Sequence, residues 1–520
     1  PPRSTLFPYT TLFRSDIHQQ WSSVPYIDEI PFFAHQKRIL LSNCGIINPV
    51  SIAEYISRGG YQAFADTITH HTPAQVCNLI EDSTLAGRGG GGFLAGKKWK
   101  FALSTASEQK YFVCNAVESD PGSYMNRTIM ESDPHMLIEA LLIASYAIGA
   151  SKAFIFTRSE FTLSNQRLRA AMMEAEDYGL IGHNILDSGV NIDIALKEGA
   201  RAFVCGEETA LINSIEGKRA MPTSKPPFPA VKGLWNSPTV LNNVETLINV
   251  PSILKNGIDW YQNIGTPNSK GTKLFSLTGQ INEFGTIEVE MGVSFSDIVN
   301  KIGGGMSNGH EFRAIILGIN SGSFITEKTL DTLVDFDALK NVGSALGSGA
   351  CVVVDKTTCM IDIAMFFTEF FKNQSCGKCI PCREGTARLL TIIKGATQKP
   401  SRENNFQTLE RFKGILQLNG LAAVMKDTSL CSLGKSAPNA ILNVLDNFKP
   451  EFDAHVFERK CPAGVCRDLR TYTIDVDKCT GCTGCYKKCP VGAIIGSARQ
   501  PHFIIRSEEH TSELQSRHNL

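Results

Sequence analysis

The sequence lacks an excess of charge of either sign, since Lys plus Arg and Asp plus Glu both number 51 among 520 residues. Without a one-signed field nothing draws a polyphosphate backbone or an acidic lipid surface from a distance, so no nucleic-acid partner is expected. A long apolar run is also missing. The most apolar stretch, 136–150, is broken by Glu139 and falls short of the roughly 18 residues that a membrane crossing requires, so direct membrane insertion is not expected. Residues 1–15 carry Pro8 and two arginines and hold no uninterrupted apolar core, so no secretory signal is read and the expected compartment is cytoplasmic. Apolar residues themselves are not scarce. A hydrophobic share of 42% against 20% charged is the balance of a chain that folds, and the length suits about three or four domains.

Cysteine is what the sequence has in unusual places. Ten of its 16 cysteines fall between Cys376 and Cys489, about three times the share an even spread would give. Disulfides belong to oxidising compartments, and a chain this long needs no staples, so the clustering points to soft-metal ligation.

Both ends read as foreign. Residues 506–516 resemble the conceptual translation of a sequencing-library adapter, and 1–15 resemble another reading of similar DNA, so 1–15 and 506–520 are set aside and 16–505 taken as the natural part. Residues 16–86 form an N-terminal helical segment, in which Ser51-Ile-Ala-Glu54 reads as a capping-box start and Gly59-Gly60 as a stop. Over 87–270 short apolar strands alternate with helices. Tyr111 to Cys114 and Ala153 to Thr157 read as strands, a helix runs from Asp133-Pro134 to near Gly149, and another from after Ser164 to Gly179. That alternation predicts a doubly wound parallel sheet with ligands at the carboxyl ends of its strands. Residues 271–355 change to short β segments, with a turn at Asn282 to Gly285 and a glycine run at Gly303 to Gly305, and read as a small α+β domain. Helical spacing returns at Ile361 to Phe371, Ala387 to Ile393 and Ile415 to Val424, so 356–455 read as a helical bundle bearing cysteines. Residues 456–505 form a linker and a module too small for a core of its own, which metal must hold.

Four motifs carry chemistry. Cys479-x₂-Cys482-x₂-Cys485-x₃-Cys489-Pro490 is the C-x₂-C-x₂-C-x₃-C-P run of bacterial ferredoxins, a zinc ribbon being the weaker alternative. In a two-cluster ferredoxin the fourth cysteine of each run serves the other cluster, and no second run follows, so normal loading of this truncated module is not expected. Cys376-Gly-Lys-Cys379-Ile-Pro-Cys382 with a distant Cys431 offers the ligands of a four-iron four-sulfur site. The glycine-rich Gly87 to Gly92 loop lets backbone approach a phosphorylated or flat ligand. Gly91 to Lys97 fits G-x₄-G-K, but Lys98 stands where a phosphate-loop NTPase needs Ser or Thr for magnesium. Gly206-Glu207-Glu208-Thr209 opens a helix, and Lys225-Pro-Pro-Phe228 and Asn242-Asn243 add a rigid turn and an amide pair suited to a heterocycle's edge. Cys461 and Cys466 read either as free buried thiols or, with His502 and one more ligand, as a zinc site. Cys359 and the remaining cysteines show no ligand spacing and read as core.

Gly87-Arg88-Gly89-Gly90, Cys114-Asn115-Ala116, Gly206-Glu-Glu-Thr209, Lys225-Pro-Pro-Phe228-Pro, Asn242-Asn243-Val-Glu-Thr246 and Ser375-Cys-Gly-Lys-Cys-x-Pro-Cys382 together resemble the 51-kilodalton, flavin- and NADH-binding subunit family of complex I. The ferredoxin run and Asp120 look closer to the β subunits of NAD(P)-dependent electron-bifurcating iron hydrogenases. The resemblance implies an α/β multidomain chain with a Rossmann-like FMN/NADH domain, a ubiquitin-like β-grasp domain, an iron–sulfur helical bundle and a ferredoxin-like module. It implies FMN held by Gly87, Arg88, Gly89, Gly90, Lys98, Asn115, Glu118, Gly206, Glu207, Asn242, Asn243 and Thr246. NAD(P)H is then expected against Phe93 and Phe101 and beside Lys225 and Phe228, with Glu208 and Asp120 as the catalytic candidates. Cys376, Cys379, Cys382 and Cys431, and separately Cys479, Cys482, Cys485 and Cys489, are the expected ligands of 4Fe-4S clusters.

Three positions depart from the family pattern: Val117 replaces Asp, Leu94-Ala95 replaces Pro-Thr and Phe203 replaces Tyr. Loss of the Asp acceptor is expected to cost about 1–3 kcal/mol in flavin binding. The implied activity is that of an NAD(P)H dehydrogenase (diaphorase) subunit, because NADH gives up a hydride while an iron–sulfur cluster takes one electron and a flavin must stand between them. Lys378 and Arg383 are expected to raise the cluster's potential. The implied partners are a thioredoxin-like 2Fe-2S subunit and the catalytic subunit of a hydrogenase or formate dehydrogenase. The alternatives are a non-catalytic iron–sulfur relay or assembly subunit without FMN, and a subunit of respiratory complex I.

Overall fold

The structure is a computed structural model and describes residues 25–318, 322–399, 405–470, 472–490 and 492–505. The two terminal segments read as foreign lie outside the described residues.

After short helical turns at Ile27–Glu29 and Pro31–Ala34 come α1 (Ile52–Ser57), α2 (Gln62–His70) and α3 (Pro73–Asp82). Ser51 caps α1 by accepting the Glu54 N–H at 3.4 Å, but the expected return bond is not made, because the Glu54 carboxylate accepts from the Asn48 N–H at 2.8 Å instead. A reciprocal box sits two helices later, between Thr72 and Gln75 at the start of α3.

The next elements are α4 (Ala95–Ser104), β1 (Tyr111–Asn115), α5 (Met125–Ser132), α6 (Pro134–Ile148), β2 (Lys152–Arg158), α7 (Thr162–Asp177), β3 (Gly182–Ile185), β4 (Val190–Gly199), α8 (Glu208–Ile215), β5 (Thr239–Asn243) and α9 (Val244–Asn256). The strands form one sheet in the order β3-β4-β2-β1-β5. β4, β2, β1 and β5 run parallel, and β3 is an antiparallel edge. α6 contacts this sheet and also α2, α3 and α9, and it is buried almost all round. This accounts for the apolar stretch noted in the sequence: each fully buried Leu or Ile there contributes about 1.5–3 kcal/mol. Its one acid, Glu139, is satisfied by the Tyr55 hydroxyl at 2.5 Å and the Phe64 N–H at 3.1 Å. α7 starts two residues before the expected position, and the β3–β4 hairpin was not legible because its outer strand is largely exposed and polar.

A second sheet holds β6 (Thr272–Gly279), β7 (Gly285–Glu290), β8 (Phe312–Leu317), β9 (Ser323–Thr326) and β10 (Ala350–Asp355) in the order β7-β6-β10-β8-β9. β6 and β10 pair in parallel at its centre and the other pairs are antiparallel. The two sheets meet at a fully buried ion pair between Glu245 of α9 and Lys273 of β6, with Nζ 2.5 Å from Oε2. A helical region follows, with α10 (Met360–Gln374), α11 (Ile380–Thr397), α12 (Asn405–Thr428), α13 (Ser432–Ser436) and α14 (Asn439–Asn447), and then a helical segment over Lys449–Asp453 and Ala454–Glu458. Phe371, Leu389, Ile393, Leu418 and Met425 fill their shared core. At the carboxyl end of the described chain, β11 (Ile494–Ile495) pairs with β12 (Phe503–Ile504).

Candidate functional site

The site is built on the carboxyl ends of β1 and β5. Their parallel register sets Cys114 beside Asn242 and Asn115 beside Asn243. Part of each amide is spent on the scaffold. Asn115 donates to the Gly206 carbonyl at 2.9 Å, Asn242 accepts from the Trp99 indole at 2.8 Å, and Asn243 caps α9 by accepting the Glu245 N–H at 3.0 Å. Above them the glycine loop closes on itself through Gly87 N–H to Phe93 O at 2.9 Å. Gly90 and Gly92 adopt φ of 104° and 63°, conformations that a side chain would strain.

Arg88 belongs to that loop but turns away from its open side. Its guanidinium is buried and donates to the Tyr261 hydroxyl at 3.3 Å and the Lys270 carbonyl at 2.5 Å, while its own N–H reaches Thr246 Oγ1 at 2.8 Å. The side chain therefore anchors the loop from beneath. Lys98, on the first turn of α4, does face inward, and donates to Glu208 at 3.1 Å and the Leu241 carbonyl at 3.0 Å.

The acids differ in what holds them. Glu207 caps α8, accepting the N–H groups of Thr209 and Ala210 at 2.9 Å each. Burial works to raise Glu208, but Lys98 and Lys225 on its two oxygens outweigh it and keep the carboxyl below its ordinary range. Glu118 accepts the Asn126 and Arg127 N–H groups at 2.6 and 2.8 Å at the start of α5, yet burial pushes it up to about 7.

Two adjoining cavities of about 320 and 190 Å³ occupy this ground. The larger is bounded by the glycine loop, Phe93, Lys98, Glu208, Lys225, Asn242 and Thr246, the smaller by Val117, Glu118, Asp120 and Ser348, and Asn115, Gly206, Glu207 and Asn243 border both. Phe93, Phe101 and Phe228 are each more than half exposed. Gly90 packs toward Gly347 and borders neither cavity. A Cβ on Gly89 would come within 3.3 Å of the Asn243 side chain and press on a residue that lines the cradle. The departure at Val117 is accommodated, since its side chain is buried with Cys205 and Leu241 in an apolar cluster beside Gly206. A phosphate beside Lys98 and a planar ring over bare glycine backbone suit these walls, so the residues fit FMN.

The cluster thiols come next to that cradle. Cys376 and Cys379 lie on the loop between α10 and α11, Cys382 in the first turn of α11, and Cys431 is the cap of α13. Burial pushes the Cys382 thiol up to about 11, with Cys379, Cys431 and Cys376 adding to the rise and Ser375 opposing it, so the four sense one another. Ser432, directly after Cys431, borders both cavities, and Leu433 borders the smaller. Lys378 donates to the Pro222 carbonyl and Arg383 to the Gly377 carbonyl, so both cations make backbone bonds.

A separate buried group corrects the expectation for Cys461, Cys466 and His502. Cys359, His455, Cys461 and Cys466 place their ligand atoms within 4.8 Å of one another. Cys359 Sγ lies 3.7 Å from Cys466 Sγ, and the two sulfurs lie 3.3 and 3.4 Å from His455 Nε2. Bond lengths of about 2.0–2.3 Å to one zinc ion give tetrahedral edges of about that size, whereas a cubane spreads its thiolates wider. His455 Nδ1 donates to the Glu451 carbonyl at 2.8 Å, which turns Nε2 toward the thiols as a free ligand. His502 is elsewhere, with its backbone N–H 3.4 Å and its Nδ1 4.0 Å from Cys479 Sγ. Nothing in the local spacing reveals Cys359 or His455, because the fold joins them across 96 residues. In the ferredoxin run Cys482 and Cys485 are exposed and Cys479 and Cys489 partly so.

Residues 80–252 match the Nuo51 FMN-binding domain, 362–455 the NADH-ubiquinone oxidoreductase-F iron–sulfur binding region, and 472–495 a 4Fe-4S binding domain. The NADP-reducing hydrogenase subunit HndC of Solidesulfovibrio fructosivorans is 48% identical over 90% of this chain and 93% of its own length. The F subunit of the NADH-quinone oxidoreductase of Escherichia coli (strain K12) is 37% identical over 78% of this chain and 90% of its own. Among solved structures, an NAD⁺-reducing [NiFe]-hydrogenase in the H₂-reduced state superposes with a TM-score of 0.68 at 28% identity, covering 86% of this chain and 72% of that one. Among the described residues no helix is long and apolar enough to cross a membrane.

Proposed function

This chain belongs to the family of flavin-binding F subunits of NADH-quinone oxidoreductases and their hydrogenase counterparts, and on that premise we propose that it is the NAD(P)H dehydrogenase subunit of a multi-subunit redox complex. FMN, when bound, supplies the chemistry, accepting a hydride and releasing electrons singly. The chain's own residues bind, orient and exclude. Lys98 and the glycine loop hold the phosphorylated end, while Asn115, Asn243 and Gly206 line the space for the ring. Phe93, Phe101 and Phe228 offer apolar faces for the nucleotide, and Glu208, fixed between two lysines, offers acceptors for sugar hydroxyls. Asp120 bonds Ser348 at 2.5 Å and so lies where the two sheet domains meet. No side chain is needed as a general base for hydride transfer; holding the two rings in contact is the protein's contribution.

The observation that carries this reading is the shared wall: Ser432 and Leu433, which border the cradle, follow directly on the ligand Cys431. In the second sheet the strand order supports the β-grasp reading, and the parallel sheet with its ligand-facing carboxyl ends supports the Rossmann-like one. The hydrogenase setting rests on the higher identity to the hydrogenase relative and on the additional 4Fe-4S run. A thioredoxin-like 2Fe-2S subunit and a hydrogenase or formate dehydrogenase catalytic subunit are then the electron partners. Cys359, His455, Cys461 and Cys466 hold zinc in this reading, structurally and apart from the electron route. The test is a flavin band at about 450 nm that NADH or NADPH bleaches, with dye reduction at the same rate. Purified protein that binds flavin and is bleached by neither nucleotide overturns the proposal.

A further inference from the structure

Lys378 sits in sequence between two cluster thiols, but its ammonium is engaged elsewhere. Nζ donates a 2.6 Å hydrogen bond to the carbonyl of Pro222. Pro222 begins the loop that leads to Lys225 and Phe228, and besides the Lys225–Glu208 ion pair two further bonds tie that loop to α8. Asn213 donates to the Met221 carbonyl at 2.7 Å, and the Thr223 N–H donates to Thr209 Oγ1 at 2.9 Å. At its other end Lys378 rises from a loop that is itself pinned, by Gly377 N–H to Ser375 Oγ at 3.3 Å and by Arg383 to the Gly377 carbonyl at 2.8 Å. The lysine thus joins the thiol-bearing loop to the loop expected to hold the nucleotide.

We infer that Lys378 is a positioning residue whose bond to Pro222 couples nucleotide affinity to the redox state of the Cys376–Cys379–Cys382–Cys431 cluster. The inference rests on the reading of Lys225 and Phe228 as nucleotide contacts. One electron added to the cluster makes its surroundings more negative, and a flexible ammonium on the residue next to a ligand cysteine responds to that charge. Drawn toward the thiolates, Lys378 gives up part of its hold on the Pro222 carbonyl, and the nucleotide loop loses one of its ties. The nucleotide therefore binds more weakly when the cluster is reduced. By reciprocity, bound nucleotide favours the oxidised cluster and lowers its potential. Product is released as the electron moves on.

ADP-ribose, which carries no nicotinamide to be reduced, is the probe, and the flavin- and iron-loaded protein is the sample. In the wild type, saturating ADP-ribose lowers the midpoint potential of the cluster in an EPR-monitored titration. Lys378→Met loses most of that response and raises the ADP-ribose dissociation constant of the oxidised protein about three- to tenfold, the size of one charged hydrogen bond at a partly exposed site. Lys378→Arg restores the larger part of both. Thr209→Val, which cuts a different tie of the same loop, raises the dissociation constant but keeps the potential response. If Lys378→Met shifts the potential equally with and without ADP-ribose and leaves the affinity unchanged, the lysine is only a nearby charge and the inference is wrong. Iron analysis qualifies each variant, and Lys378→Gln carries the same comparison if the methionine variant loads poorly. Amide exchange at Thr223 and Ser224 without any nucleotide separates the two readings. Faster exchange in Lys378→Met, and in the wild type after reduction, upholds the bridge even where ADP-ribose fails to bind, and that failure then counts against the nucleotide assignment alone. Equal exchange in every state overturns the bridge.

Discussion

Glu118 ties proton binding to the cradle at the scale of one residue. Burial raises its pKa from 4.5 in the unfolded chain to about 7 in the folded one, so between those values the folded state keeps a proton that the unfolded state has released. Stability therefore falls as pH rises through that window, and Asp133 and Glu288, both also pushed up to about 7 by burial, act in the same direction. Glu118→Gln is expected to remove its share of the fall, up to about 3 kcal/mol, read from denaturant midpoints at half-unit steps of pH. Unchanged slopes would refute the assignment. Cys359→Ser should cost one metal equivalent per chain without lowering iron, and should drop the melting temperature by several degrees, as metal analysis and a thermal scan will show. What was legible at this scale follows from reach along the chain. Cys376, Cys379 and Cys382 declare themselves by local spacing. Cys359 and His455 do not, because only the folding of α10 against the helical segment Lys449–Asp453 and Ala454–Glu458 brings them together. Arg88 shows the opposite limit: its place in the glycine motif was plain, but the inward turn of its side chain depends on Tyr261 and Lys270, which no motif contains.

Among the elements, α4 is the one whose placement sets the cradle. It lies against α3 at Gly96, where a Cβ would stand 2.2 Å from the Glu81 nitrogen and 2.4 Å from its Cα. Backbone cannot move aside as a side-chain tip can, so Gly96→Ala is expected to cost about 1–3 kcal/mol and to loosen flavin, since Lys98 shifts with the helix. Flavin retained on a desalting column and a denaturation curve test the two halves of that statement. Periodicity exposed the elements with one or more apolar faces: α6, α10, α11 and α12 contain the expected helical segments. It failed for β3, whose exposed, polar strand has little apolar alternation to read. At α1 the Ser51 and Glu54 motif was present, but the carboxylate found a better donor in Asn48, a choice set by the incoming loop and not by the helix.

For the whole molecule, strand and helix alternation announced two different sheet regions and a helical one, but not the joint between them. The buried centre of that joint is Glu245 with Lys273, both without solvent contact. Glu245 also accepts the Leu274 N–H at 2.8 Å, and Lys273 reaches the Leu274 carbonyl at 2.8 Å. Glu245→Gln leaves a buried ammonium uncompensated and should cost about 3–5 kcal/mol, whereas Glu245→Leu combined with Lys273→Met should cost far less. A double-mutant cycle on unfolding checks this, and additive losses would count against it. The wall formed by Ser432 and Leu433 has a further consequence for biogenesis. Because Cys431 directly precedes Ser432 and Leu433, whatever holds its thiol also places one wall of the chamber. Protein made in iron-starved cells is therefore expected to hold less flavin as well as less iron, read as flavin and iron per purified chain.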